Sequence, residues 1–159
     1  MNAPKLHSPI LPQSPSEKEF NRKQKEAVQR RELEHEKWEK DLRKQRIAAI
    51  PSADRRILDD SKIVKLWVEH TALDEVAGSG YIHGNKRGGV RRRSWSNFKK
   101  MRRLLEPKGI DWFKYYEQKP GRSFAALNEY MFAKHKNQVL KRISELGYCR
   151  PEQTSMGWE

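Results

Sequence analysis

From Ser16 to about Ala49 apolar residues are sparse (Phe20, Val28, Leu33, Trp38, Leu42 and Ile47) in a background rich in Glu, Lys, Arg and Gln, without glycine or proline. Those four residue types lose little on entering a helix, so the stretch predicts one long helix. Ser16 and Glu19 have the spacing of a capping box. Opposite charges near helical spacing (Glu32 with Lys37, Glu36 with Lys40, Glu39 with Arg43) add support. Val28, Trp38 and Leu42 approximate a heptad seam, but Arg31 and His35 interrupt it, which argues against an autonomous coiled coil. The helix is expected to bridge solvent or to lie on a partner: another protein, a second copy of itself, or a nucleic-acid backbone. Ahead of it, Pro4, Pro9, Pro12 and Pro15 mark a disordered tail.

After Pro51 the pattern changes to apolar stripes. Ser52 or Asp54 is placed to cap a helix carrying Ile57 and Leu58. Ser61 is placed to cap a second through Val76, in which Ile63, Leu66, Trp67, His70, Leu73 and Ala77 recur at three- and four-residue steps. Gly78, Gly80, Gly84, Gly88 and Gly89 then predict a non-helical stretch, either a mobile loop or a short hairpin pairing Tyr81–His83 with Val90–Arg92. Ser94 is expected to cap the next helix, to Leu105, with Trp95, Phe98, Met101 and Leu105 inward and Ser96, Lys99, Lys100 and Arg103 outward. Pro107-Lys108-Gly109 ends it. Asp111 is expected to cap a short helix through Trp112, Phe113 and Tyr116. Ser123 opens the last helix, with Phe124, Leu127, Met131, Leu140, Ile143 and Leu146 inward and Gly147 as its left-handed cap. The fold class is mainly α: a small helical domain with a Gly-rich basic loop or short β-hairpin, preceded by the long charged helix and the tail. The divisions are 1–15, 16–50, a domain over 52–148, and a C-terminal tail over 149–159. No solenoid repeat is visible.

Composition narrows the class. The 159 residues are 35% apolar and 35% charged, with a mean hydropathy of −1.04. A compact domain with solvated extensions fits these values better than core throughout. The single cysteine, Cys149, excludes an internal disulfide and fits a reducing compartment. No apolar run reaches the ~20 residues of a membrane span, and the first residues lack an apolar secretory core. The expectation is a cytoplasmic protein of a bacterial or phage-infected cell, with no membrane partner.

Charge supplies the strongest functional signal. Residues 86–108 hold ten basic side chains and one acidic, +9 of the formal +13. Residues 1–51 contribute +4, 52–85 contribute −2 and 109–159 contribute +2. Positive charge this concentrated raises the local concentration of polyanions and speeds their capture. The candidate contacts are Lys86, Arg87, Arg91, Arg92 and Arg93, expected on a conformable loop, and Lys99, Lys100, Arg102 and Arg103 on a helix. With six to eight of them on phosphates, log K would fall with log salt at a slope of roughly −5 to −7. A hairpin after two helices also suits a winged-helix arrangement. Glu69, Asp74 and Glu75 make 61–76 a poor recognition helix, so 94–105 is the better candidate for a groove.

Other motifs weigh less. Trp112, Phe113, Tyr115 and Tyr116 beside the cations could stack unpaired bases, although a shared helical face for 112, 113 and 116 favours core. The glycines of 78–84 lack the Lys-Ser/Thr of a phosphate-binding P-loop. His70 with Asp74, and His83 with Asn85 or Asn97, fall short of a metal or His–Asn nuclease site. Cys149 lacks a neighbouring base. The reading is a non-enzymatic nucleic-acid-binding accessory protein, DNA favoured over RNA, without cofactor or metal. Residues 16–50 would serve a protein partner or self-association. The rival is a structural subunit of a nucleoprotein or virion assembly, and a metal-dependent nuclease stands third.

Overall fold

In a computed structural model, which describes Pro12 and residues 14–113 and 125–158, the long polar stretch forms one helix, α1 (Pro15–Ala48). Its cap lies two residues before the expected one. The Ser14 hydroxyl accepts from the Glu17 amide (3.3 Å) and the Glu17 carboxylate from the Ser14 amide (3.2 Å), with Pro15 at the first helical position. Most of the segment expected to be a disordered tail lies outside the described residues. The chain divides into two units, one up to Leu42 and one from Arg43.

The first unit is solvated helix. None of its described residues is buried, and Phe20, Val28, Leu33 and Trp38 are all exposed. Arg22 pairs with Glu19 and Glu26, Lys23 with Glu19, and His35 with Glu39, and the His35 and Trp38 rings stack at 5.8 Å. Among the described residues these pairs replace the three picked out from spacing.

The second unit begins with the end of α1, where Ile47 and Ile50 reach the core and Arg46 donates to Glu129 at 2.7 Å. Pro51 stops the helix and starts α2 (Ser52–Leu58). Asp60, rather than Ser61, caps α3 (Ser61–Gly78), its carboxylate accepting from the amides of Lys62 and Ile63. α3 is the central element, packed against α4 (Gly84–Leu105) and α5 (Ala125–Leu146). Ile63, Trp67, Ala72, Leu73, Val76 and Ala77 are fully buried along it. Trp67 meets Phe132 edge-on at 5.0 Å and donates its indole N–H to Asn128 at 3.1 Å, so a large side chain is buried with its polar atom satisfied.

Polar ties close the ends of the α3–α5 packing. Asp59 accepts from the Tyr130 hydroxyl (2.8 Å) and from the Lys134 ammonium. Burial pushes the Asp59 carboxyl up, but those two donors outweigh it and hold the group below the usual carboxylate range. Glu69 of α3 receives a forked bond from Arg142 of α5, which also reaches Glu145.

The glycine-rich stretch is a correction. No strand occurs among the described residues, and neither the hairpin nor the loop forms: the chain is helical from Gly84 to Leu105, through Gly88, Gly89 and Arg91–Arg93. Two interior glycines cost a helix about 1 kcal/mol each relative to alanine, and packing overrides that cost. Val90, Ser94, Phe98, Met101 and Leu105 are buried on one continuous stripe, and most helix stability in proteins comes from such a face. Of the five glycines in this stretch, Gly80 (φ 80°) and Gly84 (φ 59°) alone use the left-handed region, at the turn between α3 and α4.

Ser94 is therefore not a cap but an inward residue in mid-helix. α4 ends in a single 3₁₀ turn (Glu106–Lys108). Gly109 then takes a positive φ, and the Ile110 amide returns to the Leu105 carbonyl (3.1 Å) over two fully buried side chains. Asp111 accepts from the Phe113 amide (3.1 Å) and Trp112 is buried, while the rest of that expected helix, with Ser123 and Phe124, lies outside the described residues. The last residues, set apart as a tail in the sequence reading, form two 3₁₀ turns (Pro151–Gln153 and Ser155–Trp158) with Thr154 and Met156 buried against the domain.

Candidate nucleic-acid interface

α4 carries nine cations and no carboxylate, and all nine candidate residues fall on this one helix. Lys86 and Arg103 are 17 residues apart, about 26 Å along the axis at ~1.5 Å per residue. Arg92, Ser96, Lys99 and Arg103 step by four, three and four residues, which aligns them on one ridge opposite the buried stripe. Lys100 and Arg93 flank the ridge on one side, and Arg91, Trp95 and Arg102 on the other. Lys86 and Arg87 are exposed in the first turn, where the positive end of the helix dipole adds to their field.

Two of the nine are partly committed within the protein. Arg102 is half-buried, pairs with Glu106 at 3.3 Å and lies over the Phe113 ring at 4.3 Å. Arg93 lies 3.7 Å from Glu69, the carboxylate that Arg142 already holds. The other seven (Lys86, Arg87, Arg91, Arg92, Lys99, Lys100 and Arg103) are exposed. The two devices expected from sequence, a conformable clamp and a rigid helix, are thus one rigid array.

What holds the array is the α3–α4 contact. The Ser94 hydroxyl donates to the His70 carbonyl (2.9 Å), and His70 Nδ1 lies 2.8 Å from that hydroxyl and 3.0 Å from the Ser94 carbonyl. The network is consistent when Nδ1 carries the proton. Burial pushes the His70 pKa down, against the smaller opposing pulls of the Ser94 contact and Asp74. His70 is thus a half-buried tie between two helices. Among the described residues no group of three His, Cys, Asp or Glu side chains gathers as a metal site would require.

Trp95 departs from expectation. Placed inward by the sequence reading, it is 46% exposed. Its ring stacks on the buried Phe98 at 5.5 Å, and Lys99 Nζ lies 5.6 Å from its centroid. Phe113, also expected in the core, is 45% exposed.

On the Lys100 side, α4 forms one wall of an open groove of about 1290 Å³. Lys100, Arg103 and Leu104 face His135, Gln138 and Arg142 of α5 across Val64, Leu66 and Val68 of α3. His135 Nε2 is buried there without a hydrogen bond, and burial lowers its pKa. The groove is chemically mixed, since Asp59, Glu69 and Glu145 also line it. The single-sign field belongs to the outer face of α4.

Comparison of the chain with models of known protein families, with curated proteins and with solved structures finds no match in any of the three. No helix among the described residues is long and apolar enough to cross a membrane.

Proposed function

We propose that the protein is a non-enzymatic nucleic-acid-binding accessory factor that holds phosphates along the outer face of α4. The observation that carries this reading is a 22-residue helix with nine cations and no carboxylate, seated on a core by its opposite face. Arg92, Lys99 and Arg103 would take phosphates along the ridge, with Lys86, Arg87 and Arg91 extending the contact toward the helix start. Affinity would come mainly from released counterions. Were the ligand a regular duplex, DNA would be favoured, because the major groove of B-DNA, about 12 Å wide, admits an α-helix and the deep, narrow A-form RNA groove does not. The setting would be the cytoplasm of a bacterial or phage-infected cell.

A gel-shift panel of duplex DNA, single-stranded DNA and structured RNA across salt tests the reading, with Arg91, Arg92 and Arg93 changed together to Ala. The expected result is binding to DNA that weakens steeply with salt and with the triple change. Binding unaffected by the triple change would sink the reading.

A second reading draws on α1. A 34-residue helix with no buried side chain and four exposed large apolar residues is suited to a surface supplied by another protein or by a second copy. In that case the chain would be a structural subunit of a nucleoprotein or virion assembly, with residues 16–50 as its contact.

A further inference from the structure

We propose that Trp95 is a stacking platform for one unpaired base, so that the nucleic acid held along α4 is a single strand or a strand with one base extruded. The inference rests on the reading of α4 as a phosphate-binding helix and names the form of nucleic acid that it holds.

Trp95 is backed by Phe98, has the Lys99 ammonium over its ring and is still 46% exposed. Phe98 backs the indole at an interplanar angle of 29° and is itself buried, wedged against Trp112 edge-on at 6.0 Å and against His70 at 4.8 Å. An aromatic ring held by a core residue has lost its freedom before any ligand arrives, which lowers the entropic cost of stacking on it. Yet nearly half of Trp95 faces solvent, on a helix whose core is complete without it.

The surroundings match a base attached to its phosphates. Arg91 and Lys99 stand one turn to either side of Trp95, about 6 Å along the axis in each direction. Lys99 Nζ, on a flexible stem, is close enough to the ring to move onto the phosphate of a base placed there. Arg102 and the exposed Phe113 continue the same side of the helix. The nearest carboxylate along the chain, Glu106, is already paired with Arg102.

The alternatives use only part of this surface. An acidic peptide would engage the cations and leave the aromatic face idle. A regular duplex offers phosphates, but its bases are already stacked on both faces. A base in an unpaired strand presents a free π-face beside two phosphates, and single-strand binders combine stacking rings with cations in this way.

The test measures affinity of the full chain, by fluorescence anisotropy at fixed salt, for four labelled ligands. These are an oligo-dT strand, the same strand carrying abasic sites, a duplex of equal phosphate count, and poly-glutamate. On the unmodified protein, oligo-dT should bind about tenfold or more tighter than the abasic strand, a comparison that needs no variant. Trp95→Ala should remove that advantage and change duplex binding less than threefold, while Trp95→Phe should keep most of it.

Equal affinity for the base-bearing and abasic strands would overturn the inference, and the phosphate-binding reading would survive if Arg91–Arg93→Ala weakened both. Failure to bind any nucleic acid would overturn both. Tight poly-glutamate binding kept in Trp95→Ala and lost in Arg91–Arg93→Ala, with the two strands bound equally, would assign the surface to an acidic protein instead.

Discussion

α1 and α4 are both long helices dense in charge, and they differ in what the charge is set against. α1 holds eleven cations with eight carboxylates, several of them paired within the helix. α4 holds nine cations with none, and among the described residues its carboxylate contacts come from Glu69 of α3 and from Glu106 just past its end. Exposed i,i+4 pairs are worth only about 0.3–0.5 kcal/mol each, so the pairing in α1 does more to cancel its field than to fix its structure. In α4 the field is cancelled only at Arg93 and Arg102, and the buried stripe from Val90 to Leu105 keeps the cations in register. A polyanion therefore meets an ordered array on α4 and a nearly neutral rod on α1.

The comparison breaks most directly if the wrong helix turns out to matter. Changing Arg92, Lys99 and Arg103 together to Ala should lower affinity for DNA by roughly 10²- to 10³-fold at low salt. Changing Arg30, Arg31 and Lys37 of α1 to Ala should cost less than about threefold, because neighbouring carboxylates already screen them. Equal losses in a binding titration of the two variants would erase the distinction.

A smaller effect concerns the mooring of α4. Glu69→Ala removes the carboxylate shared by Arg142 and Arg93, leaving a half-buried guanidinium short of partners. Stability should fall by about 1–3 kcal/mol in denaturant unfolding. DNA binding by the folded fraction should hold or rise, since Arg93 is freed.

The glycines sharpen the picture in the other direction. A Cβ added at Gly88 or Gly89 meets nothing within 4 Å, and neither residue has a positive φ. Gly88→Ala and Gly89→Ala should each stabilise the fold by about 0.5–1 kcal/mol. A loss of stability in thermal unfolding would show that the first turns of α4 are not helical.

The smallest effect is with pH. Burial lowers the pKa of His70 and of His135 from the usual 6.5, so the unfolded chain takes up protons more readily than the folded one below that value. Stability from these groups is fully present above about pH 6.5 and is lost as the pH falls toward their folded values. His70→Gln should flatten part of this decline in unfolding curves measured between pH 7 and 5, and the His135 share should remain.

Much of this architecture was legible as pattern. The apolar stripe from Ser61 through Val76 marked α3, which runs on to Gly78, and the absence of glycine and proline marked α1. Gly109 closed α4 within the expected Pro-Lys-Gly stop, and Gly147 has the positive φ of the expected left-handed cap. The start of α4 was hidden because Gly88 and Gly89 oppose a helix locally, and the packing that overrides them involves His70, 24 residues before Ser94. One sequence signal was available. Val90, Ser94, Phe98, Met101 and Leu105 form a better stripe than one beginning at Trp95, but only if Ser94 is allowed inward, where the polar atoms of His70 satisfy it. That single shift also moves Trp95 from the core to the surface. The cations themselves were evident from composition; their union on one helix was not.

The central claim is that the phosphate contacts belong to α4 and act as a set. The measurement that tests it most directly is the salt dependence of DNA binding by the full chain and by its Arg92→Ala, Lys99→Ala, Arg103→Ala variant. The account predicts a slope of log K against log salt of about −5 to −6 for the unmodified protein, made shallower by about 2.5–3 in the variant. The same slope in both proteins would contradict it.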